Sequence, residues 1–313
     1  MSKNQFSKGQ IILSYITILR VINGIVAGAA AAFGLVLSLP IDVTDIDFLT
    51  IGLVVLAAMF VSCQAMIFND IADREEDKIN APQRPIPSGK ISIKAAYVYG
   101  IIFACFALIT AIVIDIINNL YGLSVLTAII FGGSLDLYDF KLKQLGFWGN
   151  VTIGLNVTAL FAYGALHSYL VYGGTFQYVP IIVGAAAGLG NIGREVIKGL
   201  PDVEGDRESG VKTLAVELGT KPAAVIGSIF LFCLLTGGGI AVFIGLFYPI
   251  GLNYLVSIII GALLIALVLF LAVAILINQS PKWAYTTKEI LLIVYLVFLL
   301  IFIVDKIVAL LIG

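Results

Sequence analysis

Long apolar runs, interrupted by short polar connections, extend along the whole chain, and their length decides the elements. A helix crossing the hydrocarbon core of a bilayer needs roughly 20 mostly apolar residues. With that ruler the sequence predicts nine membrane-spanning helices, near 12–39, 48–68, 93–114, 118–138, 147–169, 177–198, 222–247, 251–277 and 287–311. Nine spans place the two termini on opposite faces. No linker or shift in composition marks a second domain, so residues 1–313 read as a single transmembrane domain. The first apolar run is too long for the core of a cleaved signal peptide and lacks a cleavage site, so it is expected to stay as the first span.

Composition supports this reading. Of 313 residues 60% are hydrophobic and only 12% charged, against about 45–50% and about 25% in soluble domains. That excludes a soluble globular fold and leaves an all-α polytopic membrane protein. Cys63, Cys105 and Cys233 all lie in apolar runs without CxxC spacing. They read as small core residues, not as disulfide or zinc partners.

The basic residues sort to one side. Lys3 and Lys8 precede the first span, and Arg74, Lys78, Arg84, Lys90 and Lys94 follow the second. Lys141 and Lys143 follow the fourth, Arg194, Lys198, Arg207, Lys212 and Lys221 surround the loop after the sixth, and Lys282 and Lys288 follow the eighth. The alternate connections, near 39–47, 115–120, 169–176 and 248–253, contain no Lys or Arg. The positive-inside rule then places the N-terminus and the loops after spans 2 and 6 in the cytoplasm. Arg20, inside the first span, and Lys306, beside Asp305 in the last, are the exceptions.

Those two loops are also the longest, and each carries an acidic cluster. The first reads Asn69-Asp70-Ile71-Ala72-Asp73-Arg74-Glu75-Glu76-Asp77 and the second Asp202-Val203-Glu204-Gly205-Asp206. If the helix of span 2 continues past residue 68, Asn69, Asp70, Asp73 and Asp77 share one face at i, i+3/i+4 and i+7/i+8 spacing. Carboxylates so close together at a membrane boundary lose hydration and need a compensating cation. Mg²⁺ with a phosphorylated ligand suits such a face, since it takes one or two carboxylates and completes its shell with water and phosphate. The second segment continues from Asn191, Arg194, Glu195 and Lys198, with Pro201 expected to kink or restart the helix. Its interleaved cations suit phosphate oxygens.

Together these segments resemble the two signatures of the UbiA family of intramembrane prenyltransferases. The first is Asn69-Asp70-x-x-Asp73-x-x-x-Asp77 followed by Asn80-x-Pro82-x-Arg84-Pro85-Ile86-Pro87-Ser88-Gly89. The second is Arg194-Glu195-x-x-Lys198-x-x-x-Asp202-Val203-Glu204-Gly205-Asp206 through Gly210-x-Lys212-Thr213-Leu214. Arg20-Val21-Ile22-Asn23 is similar to the family's Arg-Pro-x-Asn element, with Val21 in place of proline. Tyr138, Lys141 and Lys143 fall near its Tyr/Lys element, where the spacing does not choose between the lysines.

The resemblance implies a nine-helix bundle around a central cavity, with cap segments after helices 2 and 6. It also implies two Mg²⁺ ions, held by Asn69, Asp70, Asp73, Asp77, Asp202 and Asp206, gripping the diphosphate of a prenyl donor. Asp73, Asp77, Asp202, Asp206, Lys141 and Lys143 would act in catalysis, while Arg20, Asn23, Asn69, Arg84, Tyr138, Arg194 and Lys198 would bind substrate. The second signature is most similar to the family's archaeal ether-lipid branch. There a geranylgeranyl group passes from geranylgeranyl diphosphate to the free hydroxyl of geranylgeranylglyceryl phosphate. An aromatic acceptor, as in quinone or chlorophyll pathways, is the alternative within the family. The expected partners are the prenyl diphosphate, a membrane-embedded lipid acceptor and the bilayer of the cell membrane. Nothing in the sequence points to nucleic acid or to an obligate protein partner.

An ion-coupled transporter is the contrasting class, but it would carry ionisable residues near the bilayer midplane, and these span interiors are almost free of charge. The remaining polar residues read as structural. His167 is expected at a surface or interface, Asp115 and the Asp42/Asp45/Asp47 group in solvated outer loops, and Trp148 and Trp283 in interfacial belts.

Overall fold

The structure is a computed structural model that describes residues 6–40, 43, 46–208, 210–247 and 254–312. Every regular element in it is helical. In order they are α1 (Lys8–Ile18), α2 (Val21–Leu37), α3 (Phe48–Ala72), α4 (Arg74–Asn80), α5 (Ile93–Asn118), α6 (Leu123–Phe140) and α7 (Phe147–Tyr172). There follow α8 (Val179–Lys198), α9 (Val203–Glu208), α10 (Leu214–Leu218), α11 (Thr220–Phe247), α12 (Tyr254–Ile277) and α13 (Pro281–Ile312). One short 3₁₀ turn, Leu142–Leu145, joins α6 to α7. The expected connection 248–253, Lys3, Asp42 and Asp45 lie outside the described residues.

Eight helical stretches are long and apolar enough to cross a membrane among the described residues. The expected sixth span is not among them. That segment, α8, is interrupted by Gly184, Gly188, Gly190 and Gly193, which lower its hydropathy and serve packing instead. Near Gly188 the backbone of Gly154 on α7 comes so close that a Cβ would collide with it, and Thr158 donates to the Gly184 carbonyl at 3.2 Å. Small residues that let helix backbones approach are the usual currency of packing in lipid. α8 accordingly sits between α7 and α11, its most extensive neighbours.

The first span is not one helix. Arg20 adopts a left-handed conformation (φ 44°, ψ 55°) and separates α1 from α2, a conformation that costs a non-glycine residue and is held only by its surroundings. Beyond it α2 buries Phe33, which meets Phe161 of α7 and Phe302 of α13 edge-on in the central core. A smaller core of Ile18, Ile67, Ile71, Ile86, Ile91 and Ala96 packs α1 against the end of α3 and the 81–92 loop. A third joins α8, α11, α12 and α13.

Two structural expectations, for Asp115 and His167, are corrected at the end of the bundle distant from the acidic segments. Asp115 is buried, because its carboxylate accepts the Ser124 and Val125 N–H groups at 2.8 and 3.1 Å, satisfying donors that the start of α6 leaves without helical partners. Asp47 accepts the Thr50 N–H at 3.0 Å and so caps α3. His167 is fully buried, packed edge-on against Tyr163, so it does not lie at a surface. Of the cysteines, Cys63 is buried but Cys105 is exposed, on a face of α5 that is rich in exposed Ile and Phe.

Candidate functional site

The acidic face forms as its spacing predicts, with one adjustment. α3 runs to Ala72, turns at Asp73 and resumes as α4, yet the helical hydrogen bonds continue through the turn, from Asp73 N to Asn69 O and from Asp77 N to Asp73 O, both at 2.8 Å. Asn69, Asp70, Asp73 and Asp77 are all buried. On the other segment α8 stops at Lys198, and a turn through Pro201 restarts the chain as α9, where Asp206 is buried.

The two segments meet. α4 packs on α9, and the Asn80 amide nitrogen lies 3.4 Å from the Asp202 carbonyl and 3.5 Å from Asp206 Oδ1. Gly205 permits this approach, since a Cβ there would run into the Asn80 side chain. Residues more than a hundred positions apart in sequence thus share one end of the bundle.

Asp70, Asp73 and Asp77 each have a cation beside them. Arg20 donates to Asp70 at 2.5 Å, an interaction that the left-handed turn at Arg20 makes possible. Arg84 donates from one nitrogen to both Asp77 oxygens at 2.7 Å and stands 3.9 Å from Asp70. The loop bearing Arg84 is anchored by Ile86 and Ile91 in the small core. Lys143 reaches Asp73 at 2.6 Å and Glu76 at 2.7 Å. Lys141 is exposed at the end of α6, so the structure brings only Lys143 to the acidic residues. Asn69 donates to Asp139 at 2.9 Å.

Burial sets the electrostatics. It pushes the Asp77 carboxyl up to about 6 in spite of Arg84, and the Asp206 carboxyl, further raised by Asp202, up to about 7. Burial alone would lower the Lys143 ammonium, but Asp73 and Glu76 outweigh it and hold it above the usual lysine range. Among the described residues no three Asp, Glu, His or Cys side chains converge closely enough to enclose a metal ion by themselves. The donors available are carboxylate and amide oxygens, the chemistry of a hard cation that completes its shell elsewhere.

A cavity of about 1270 Å³ opens beside these groups. Arg20, Asn23, Asn69, Asp70, Arg84, Tyr138, Arg194, Lys198 and Asp202 line it. Asp73, Asp77, Asp206 and Lys143 stand outside that lining; Asp77 is joined to it through Arg84. Asn23 donates to the Met66 sulfur at 3.3 Å, and Tyr138 is buried in the wall. Arg194 donates to the Lys288 carbonyl and to Glu195, both at 3.2 Å, and Glu195 also accepts from Lys198 at 3.1 Å. Deeper, an apolar pocket of about 100 Å³ lined by Ala30, Phe161, Leu235 and Phe298 shares Val26, Val157 and Asn191 with the large cavity.

Three groups at the site carry no role in the sequence patterns: Glu76, Asp139 and Lys288. Glu76 falls one turn from Asp73, a signal that helical spacing contained. The approach of Asp139 and Lys288 depends on packing between distant helices and left no local trace.

A family model described as the UbiA prenyltransferase family matches residues 21–284. A digeranylgeranylglyceryl phosphate synthase of Thermococcus kodakarensis is 33% identical over 280 residues, covering 89% of this chain and 92% of its own length. The enzyme of that name from Sulfolobus acidocaldarius is 31% identical over 243 residues, covering 76% and 82%. A solved structure concerned with digeranylgeranylglyceryl phosphate synthase in membranes is 26% identical, with a TM-score of 0.61 over 95% of this chain and 99% of that one. A UbiA homologue from Archaeoglobus fulgidus, bound to GPP and Mg²⁺, superposes with a TM-score of 0.63 over 93% and 99% at 16% identity, and so matches in fold. The motifs, the helical bundle and these relatives agree: the chain belongs to the UbiA prenyltransferase family.

Proposed function

We propose that this prenyltransferase moves a geranylgeranyl group from geranylgeranyl diphosphate to the free hydroxyl of geranylgeranylglyceryl phosphate, releasing diphosphate. The observation that carries the reading is the meeting of the two acidic segments over the polar mouth of a cavity whose depth is apolar. The relatives named as digeranylgeranylglyceryl phosphate synthases support the choice of acceptor over an aromatic one.

In this reading Asn69, Asp70, Asp73, Asp77, Asp202 and Asp206 hold two Mg²⁺ ions, and the oxygen-only donor set fits them. When bound, the ions neutralise charge developing on the departing diphosphate. Arg20, Arg84 and Lys143 hold the acidic residues in place and offer N–H groups to phosphate oxygens. Asn23, Tyr138, Arg194 and Lys198 shape the substrate cavity. The apolar part of the large cavity, lined by Phe131, Leu135, Leu160 and Leu292, takes the isoprenoid tail and keeps water from its reactive carbon. The bond from that carbon to the diphosphate oxygen breaks, and a bond to the acceptor hydroxyl oxygen forms.

The topology proposed is nine spans in one domain of 1–313, with α8 as the sixth and the segments after α3 and α8 as caps. Support comes from the site itself: α8 must return across the bundle for Asp202 to reach Asn80. The charge distribution supports a cell-membrane protein with the site facing the cytoplasm. Purified protein supplied with labelled geranylgeranyl diphosphate, Mg²⁺ and a panel of acceptors tests the proposal. Transfer to geranylgeranylglyceryl phosphate is expected, lost with EDTA and in Asp73→Ala and Asp202→Ala. Product from an aromatic acid alone would overturn it.

A further inference from the structure

The cations of this cavity fall into two groups with different commitments. On the α3/α4 side, Arg20 and Arg84 are already bound to Asp70 and Asp77, while Lys90 of the 81–92 loop lies 5.9 Å from the Phe6 ring centroid. On the α8/α13 side, Arg194, Lys198, Lys282 and Lys288 line the same cavity. There Glu195 serves both Arg194 and Lys198, whereas no ion pair among the described residues engages Lys282 or Lys288. Lys288 is half-buried, lies 4.4 Å above the Tyr285 ring, and has its carbonyl held by Arg194 at 3.2 Å. Glu289 and Asp202 also line the cavity here; with Asp202 among the proposed Mg²⁺ ligands, four cations on this wall face two further carboxylates, Glu195 and Glu289. α13 begins here at Pro281, so its positive end adds to the surplus.

A half-buried cation without a carboxylate partner is stabilised when an anion binds beside it. We infer that this wall, centred on Lys288, is a second anion site that binds the phosphate monoester of the acceptor and selects acceptors carrying one. The inference rests on the ether-lipid reading and adds where that substrate's head is held. A phosphate monoester carries about −1.5 to −2 charge at neutral pH, which matches the surplus. It also separates the two phosphate-bearing substrates, with the diphosphate at the acidic segments and the monoester at α8/α13.

Initial rates test this with geranylgeranylglyceryl phosphate and with the same lipid lacking its phosphate as acceptors, for the wild-type protein and for Lys288→Gln, Lys288→Arg and Lys282→Gln. The wild type is expected to prefer the phosphorylated acceptor by about tenfold or more in kcat/KM. Lys288→Gln should remove about tenfold of that preference through acceptor KM, as expected for one charge-assisted contact. Its donor KM should stay within about twofold of wild type, a split that a merely structural defect would not give. Lys288→Arg should retain the preference and Lys282→Gln lose less of it. Equal use of both acceptors by the wild type, or an undiminished preference in Lys288→Gln, would overturn the site while leaving the transfer reading intact. Turnover of neither acceptor would remove both. Should Lys288→Gln not fold, inhibition of the wild type by glycerol 1-phosphate decides: competition against acceptor supports the site, and competition against donor alone overturns it.

Discussion

Lys143→Gln is the substitution for which the structure makes the sharpest claim. The ammonium lies 2.6 Å from Asp73 and 2.7 Å from Glu76, and 22% of the lysine side chain is exposed. Removing one partner of a buried ion pair costs about 3–5 kcal/mol, because the other charges stay buried and unpaired. Partial exposure discounts this to about 2–4 kcal/mol. At about 1.4 kcal/mol per factor of ten, the loss in kcat/KM is roughly 30- to 900-fold if it is felt at the site. Lys141→Gln, two residues away but exposed, should change the rate by less than about twofold. Labelled geranylgeranyl transfer by the two variants in the same lipid, with a thermal melt to confirm folding, measures the difference. A Lys143→Gln enzyme within threefold of wild type, or a Lys141→Gln enzyme equally impaired, would refute the reasoning.

Two further outcomes follow from the same geometry. Gly205→Ala places a methyl group against Asn80 and should cost about 1–3 kcal/mol of overpacking, raising the Mg²⁺ needed for half-maximal activity, while Gly133→Ala, with open space around it, should be neutral; a Mg²⁺ titration of both variants checks this. Because Asp77 and Asp206 are raised to about 6 and about 7, the folded protein without metal binds more protons than the unfolded chain between about pH 4 and pH 7, so its stability falls as pH rises through that window. Thermal melts in EDTA should therefore drop from pH 5 to pH 8, with Mg²⁺ reversing the trend at pH 8; a melting temperature in EDTA that rises over this range would contradict the assignment.

Much of this protein was legible in the order of its residues. The length of each apolar run marks the helices because a bilayer imposes one minimum length on all of them. The spacing of Asn69, Asp70, Asp73 and Asp77 places them on one face because a helix repeats every 3.6 residues. Local signals of this kind also announced the break at Pro201. They did not announce the break at Arg20, where no proline or glycine stands and the left-handed turn is held by a salt bridge to Asp70, fifty residues on. Nor did they show that Asp115 and His167 are interior, since a polar residue near a span end looks the same whether it faces water or caps a neighbouring helix.

The family, the helical class and the two acidic segments are readable along the chain, because each is written in neighbouring residues and obeys a local geometric rule. Packing brings Lys143 and not Lys141 to Asp73, lets α9 close on Asn80 at Gly205, and leaves Lys288 beside Arg194 without an ion pair among the described residues. Those are distances between residues far apart in the chain, set by how glycine-lined helices pack, and no local pattern encodes them.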